Sequence, residues 1–120
     1  MDEAQIQRAH IAWLRFLALM VHQAPAEGDA AYDRRHRVAS RPFARAGIAP
    51  APVLAGLLAA QDAMDAGLPP ADAETAGWQV LAALLRREDG PFLAAARRYE
   101  ARAVAEFRSR DPRKGGGFQD

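Results

Sequence analysis

The chain has 120 residues, of which 50% are hydrophobic and 26% charged, with a formal net charge of +1. That length supports one domain, since a split would leave pieces too small to bury a core, and the balance is that of a globular chain, which excludes disorder. A net charge so close to zero points to no class of partner, and the absence of cysteine excludes disulfides, thiol chemistry and thiolate metal sites.

Two residue types stand out. There are 29 Ala and 15 Arg against a single Lys, Lys114. Alanine favours helices but buries little area, so Leu, Ile, Val, Met, Phe, Trp and Tyr must supply most of the core. A core that modest predicts stabilisation by self-association or by a partner protein.

The predicted elements are all helical, giving an all-α bundle of four to five helices over residues 1–111 and a flexible Gly-rich tail over 112–120. The first helix spans about residues 2–23, with Asp2 as N-cap and Gln5 closing a capping box. Its apolar stripe is Ile6, His10, Trp13, Leu14, Leu17, Met20 and Val21, and Ile11, Phe16 and Leu19 widen it. A helix apolar over most of its circumference predicts a central position or an interface formed by Ile11, Phe16 and Leu19. Its apolar run, followed by Ala24-Pro25-Ala26, superficially resembles a secretory leader. Asp2, Glu3 and Arg15 argue against one, the run is too short to cross a membrane, and the expectation is a cytoplasmic protein with no membrane contact.

After a turn at 24–28, a second helix starts near Asp29, carries Tyr32, His36 and Ala39 on one side, and is expected to break or kink at Pro42 and end at Gly47. The third helix spans about 52–66, with Val53, Leu54, Leu57, Leu58 and Met64 inward; Gly67 and Leu68 suit its C-terminal turn. Asp72 is the expected cap of the fourth helix, whose inward set is Trp78, Leu81, Ala82 and Leu85. Pro91 opens the fifth, where Phe92, Ala96, Tyr99, Ala103 and Phe107 repeat at helical spacing. Trp13, Trp78, Phe92, Tyr99 and Phe107 are read as core.

Three functional readings compete. The leading one is a non-enzymatic interaction or assembly protein, either a homo-oligomer or a small subunit of a complex. The alternative is sequence-independent nucleic-acid binding through arginine. Between Asp33 and Asp62 there is no acidic residue, while Arg34, Arg35, Arg37, Arg41 and Arg45 all fall there, and Arg98 and Arg102 are further candidates. Guanidinium groups grip phosphate through planar, paired donors. Arg34, Arg37 and Arg41 share a helix face, and Arg45 joins them only if the helix survives Pro42. The plainer reading is a solvated face in a chain encoded by GC-rich codons. The third reading is an enzyme or ligand-binding protein with a pocket between helices, whose polar contacts would be His10, Tyr32, His36 or Gln61.

Other motifs carry less. Ala63, Gly67 and Leu68 match part of a helix-turn-helix, but Asp72 and Glu74 would open the reading helix and repel phosphate. His10 is read as a core histidine, and His22 as a cation at a helix end. Asp33 and His36 stand three apart, yet a metal needs three or four ligands and no second pair exists. No metal, cofactor or catalytic residue is assigned, and Asp62 and Asp65 are read as solvent-facing.

Overall fold

The structure, a computed structural model, describes residues 2–22, 28–87 and 90–110. Within them the chain is all-α. Five helices are α1 (Glu3–Leu17), α2 (Asp29–Arg45), α3 (Pro50–Asp65), α4 (Pro70–Arg86) and α5 (Pro91–Arg110); a π-helical turn, Ala18–His22, continues α1. The tail expected over 112–120 and most of the turn at 24–28 lie outside the described residues.

Local chemistry accounts for most helix ends. Asp2 and Gln5 form the reciprocal capping box, at 2.8 and 2.9 Å, worth about 1 kcal/mol. Both α2 and α3 end in paired backbone bonds around a left-handed glycine. Ile48 and Gly47 donate to the Phe43 and Ala44 carbonyls, and Leu68 and Gly67 to those of Ala63 and Met64. Two boundaries differ from expectation. The helix survives Pro42 and runs to Arg45, because Ala39, Phe43 and Ile48 on either side of the proline are buried in one core. The fourth helix opens at Pro70 with Pro69 as N-cap, so Asp72 lies inside its first turn, where a carboxylate favours the helix dipole without capping.

The helix pair α3–α4 is the middle of the molecule, which corrects the expectation that the first helix is central. α1 packs on α2 and α4, and α5 packs on α3 and α4. Each face of the central pair carries its own core. On one face Trp13, Phe16, Leu17 and Met20 meet Phe43, Ile48, Val53, Leu57 and Leu81. On the other, Ala55, Ala59, Val80 and Leu84 meet Leu93, Ala96 and Ala103. Alanine on both α3 and α5 keeps the second core thin.

Trp13 is fully buried. Its indole N–H donates to the Glu74 carbonyl at 3.2 Å, and its ring lies over two glycines, Gly56 of α3 and Gly77 of α4. A Cβ on Gly77 would lie 2.6 Å from the Gly56 carbonyl oxygen and 2.6 Å from Trp13 Cζ2; one on Gly56 would lie 2.9 Å from the Gly77 carbonyl oxygen. The two backbones therefore touch at a point that admits no side chain.

Gly77→Ala tests this. Helix propensity alone would favour alanine by about 1 kcal/mol. The clash involves backbone on one side and a fixed ring on the other, and overpacking of that kind costs about 1–3 kcal/mol. We expect a net loss of about 1–2 kcal/mol in urea unfolding. Unchanged or increased stability would contradict the close crossing.

Candidate binding surfaces

Three surface features gather the chemistry-bearing residues. The first is the outer face of α2. Because the helix continues through Pro42, Arg34, Arg37, Arg41 and Arg45 lie along one exposed strip, about 16 Å from end to end at 1.5 Å per residue. Among the described residues no carboxylate forms an ion pair with any of these four. The like charges stand three and four residues apart, an arrangement that costs a helix about 0.2–0.5 kcal/mol per neighbouring pair. Gly28 at the N-cap supplies no side-chain hydrogen bond to the helix. Arg35 points elsewhere: it is partly buried and donates to the Leu19 carbonyl at 3.4 Å.

The second feature is a cleft of about 410 Å³ between α2, α3 and the C-terminal half of α5. Leu54, Leu57, Leu58 and Phe107 form its apolar lining, and Tyr32, Asp33, His36, Arg37, Gln61 and Glu106 its polar one. Three residues named from sequence as pocket contacts, Tyr32, His36 and Gln61, thus line one cleft. His10 does not join them. The rings of Tyr32 and Phe16 flank His36, with centroids 6.3 and 5.7 Å away. Ser40 Oγ lies 3.4 Å from His36 Nδ1. Asp33 and Arg37 stand one helical turn apart and both line the cleft, so the arginine strip meets the cleft at Arg37.

The third feature is apolar. His10 is exposed rather than a core residue, and stacks on Trp78 with ring centroids 4.4 Å apart. Trp78 also lines a groove of about 460 Å³ with Ala82, Ala83, Pro91, Phe92 and Leu93. Phe92, expected in the core, is 48% exposed, because in the first turn of α5 it lies along the groove at the margin of α4, while the neighbouring Leu93 takes the buried position. Next to His10 on α1, Ile11 is 55% and Leu14 45% exposed. Arg86 at the groove pairs with Glu3 at 3.3 Å. Of the three interface residues named from sequence, only Ile11 is exposed. Phe16 is fully buried against Phe43 and Trp13 and cannot contact a partner; Leu19 is partly buried beside the core.

The arginines of α5 behave differently from those of α2. Arg98 is exposed. Arg102 donates to Asp62 Oδ2 at 2.8 Å, and its guanidinium carbon lies 5.3 Å from the Tyr99 ring centroid. The Tyr99 hydroxyl donates to the same oxygen at 3.0 Å. Asp62 is therefore no plain solvent-facing carboxylate. The Arg102 hydrogen bond, then that of Tyr99, holds its carboxyl below the ordinary aspartate value. Burial, then the adjacent carboxylate, pushes the Tyr99 hydroxyl up. This cluster ties α3 to α5.

Among the described residues there is no group of three His, Asp or Glu placed to hold a metal, and no helix is long and apolar enough to cross a membrane. Sequence reasoning missed Asp33, Glu106, Leu54 and Leu58 as cleft residues and Trp78 and Phe92 as groove residues. No local signal marks them, because each site joins segments distant in sequence.

Comparison with protein-family models, with curated proteins and with solved structures gives no match.

The Asp62 cluster has a pH signature. With its folded pKa depressed, Asp62 contributes stability that is complete above the unfolded value, about 4, and fades as pH falls through the lower folded value. The pair is about half exposed, so its worth is about 0.2–1 kcal/mol. We expect Asp62→Asn to cost that much at neutral pH and progressively less below pH about 4, read from urea midpoints. An equal cost at every pH would remove the charge from the account.

Proposed function

We propose that the protein is a non-enzymatic, cytoplasmic interaction module that assembles with a second copy of itself. The observation that carries this reading is the apolar surface shared by α1, α4 and the start of α5. Phe92 lines its groove together with Trp78, Ala82 and Leu93, and Leu14 stands exposed one turn along α1 from His10. The His10–Trp78 stack joins α1 to the groove.

A two-fold interface places the same patch on both subunits, so the patch must offer its own complement. Exposed apolar side chains beside a groove satisfy that condition. The rim also carries both signs, Glu3 and Arg86, which lets two copies approach without like-charge repulsion. Large aromatic and aliphatic anchors at the centre, with charge at the edge, match the anatomy of stable interfaces. The alanine-rich core supplies a reason for assembly, since burying this patch adds apolar area that the monomer lacks.

The absence of cysteine suits a reducing compartment. A non-enzymatic role is supported by the same surface: its groove is apolar, and His10 beside it is engaged in stacking rather than aimed at a carboxylate.

Sedimentation equilibrium of the wild type over a range of concentrations should give a mass above that of the monomer. The variants Leu14→Glu and Phe92→Glu, both at exposed positions, should return the monomer with unchanged helicity. Phe16→Ala would report only on folding, because Phe16 is interior. A wild type monomeric at all concentrations would overturn self-assembly and leave the patch to a different polypeptide.

A further inference from the structure

We infer that the outer face of α2 and the cleft beside it form one binding site for a single-stranded polynucleotide, with phosphates on the arginine strip and a base in the cleft. This site shares no residue with the apolar patch above, so it stands or falls independently.

Charge complementarity chooses the ligand. Arg34, Arg37, Arg41 and Arg45 follow one another along an exposed face, and among the described residues no carboxylate pairs with them. A row of unpaired guanidinium groups suits a row of anions, and the planar donor fork suits phosphate in particular. The strip alone would accept any polyanion. The cleft narrows the choice. It opens beside Arg37, has Leu54, Leu58 and Phe107 along its lining, and encloses about 410 Å³, within the range of small-molecule sites. A nucleobase is flat and apolar on its faces and polar at its edge. Phe107 offers an aromatic surface for the faces, and Asp33 and Gln61 offer acceptors for the edge.

That arrangement selects single strands. In a duplex the bases are stacked and paired, and none can enter a cleft without being extruded. It also selects among bases. Carboxylate and amide oxygens accept hydrogen bonds from the exocyclic amino groups of cytosine and adenine, whereas thymine presents a carbonyl and a methyl there. Asp33 and Glu106 line the cleft itself, so a phosphate is repelled from it and kept to the arginine side. Nothing in the site distinguishes ribose from deoxyribose, so the ligand is defined as a single strand of either sugar.

Fluorescence anisotropy tests the site, using the full chain and labelled strands of about twelve nucleotides, a length within the usual range for compact single-strand binders. The probes are oligo-dC, oligo-dA, oligo-dT, the RNA counterpart of oligo-dC, and a mixed-sequence duplex. Four phosphate contacts predict a slope of log affinity against log salt of about −2.8, and the triple variant Arg34→Ala, Arg41→Ala, Arg45→Ala should reduce it to about −0.7. These side chains are exposed, so the variant should keep the wild-type circular dichroism. Phe107→Ala should weaken oligo-dC binding about tenfold while leaving the salt slope unchanged. Oligo-dC and oligo-dA should bind more tightly than oligo-dT, and the duplex most weakly. The DNA and RNA forms of oligo-dC should bind alike.

Absence of binding at low salt overturns the proposal. Duplex binding equal to single-strand binding, or oligo-dT binding equal to oligo-dC, overturns the role of the cleft. Displacement by polyglutamate at the same charge concentration as the oligonucleotide assigns the strip to an acidic polypeptide instead.

Discussion

The contact between Trp13 and the glycine pair organises this fold. Gly56 and Gly77 let α3 and α4 meet backbone to backbone, with each carbonyl oxygen within 2.9 Å of where the other residue's Cβ would stand. Such a crossing leaves a shallow saddle, and the Trp13 indole fills it. The indole N–H would be costly to bury unpaired, and its bond to the Glu74 carbonyl both satisfies it and sets the position of α1 against α4. The next layer follows. Phe16, one turn on from Trp13, meets Phe43 edge to face at 6.0 Å, and that contact holds α2 across the proline in its last turns. Among the described residues the largest side chains closed off from solvent are Trp13, Phe16, Leu17, Phe43 and Leu81, and all belong to this one core. At about 1.5–3 kcal/mol each, they outweigh anything on the α5 side, where the buried residues are mainly Ala, Val and Leu.

The same economy of volume explains where the apolar surface went. Alanines at 55, 59, 96 and 103 draw α5 close to the central pair, so there is little interior space for large side chains on that side. Leu54 and Leu58, on the flank of α3, are only partly covered and line the cleft between α2 and α5. Phe92, Ile11 and Leu14 are left further out, at the margin of α4 and on the outer side of α1. Both the groove and the cleft are therefore consequences of a core built from small residues, and each is edged by groups that can hydrogen-bond or carry charge.

Features written in a few adjacent residues were legible in the sequence. The Asp2–Gln5 box, the glycine turns after α2 and α3, Pro91 at the head of α5 and the all-helical character follow from contacts no more than five residues apart. What the periodicity could not decide is which part of a broad apolar stripe faces inward. His10 and Phe16 both sit in the stripe of α1, yet the position of the α3–α4 saddle turns Phe16 wholly in and leaves His10 at the edge, stacked on Trp78. Glycine inside a helix reads as a weak former, so Gly56 and Gly77 carried no local sign of a crossing whose meaning lies in their partner 21 residues away. At Pro42 the sequence allowed either a break or a kink, and the helix runs on to Arg45. The proline's local cost is real, but burial of Ala39, Phe43 and Ile48 around it decided the outcome.

The two arginine clusters are alike in sequence and unlike in the fold, and the difference comes from what α3 presents to each. On the α5 side α3 presents Asp62, which accepts from Arg102 and from Tyr99 and turns one cationic position into part of a helix–helix clamp. On the α2 side α3 presents Leu54, Leu57 and Leu58. Among the described residues no carboxylate pairs with Arg34, Arg37, Arg41 or Arg45, and α2 itself has none between Asp33 and its end. Repulsion along that strip is tolerated because α2 is held from the inside, by Phe43 and Ala39, rather than by its own propensity or capping. A helix anchored in this way is free to carry an unneutralised face, and its charge is available to whatever approaches from solvent. The α5 arginine at position 102, by contrast, is already engaged within the protein.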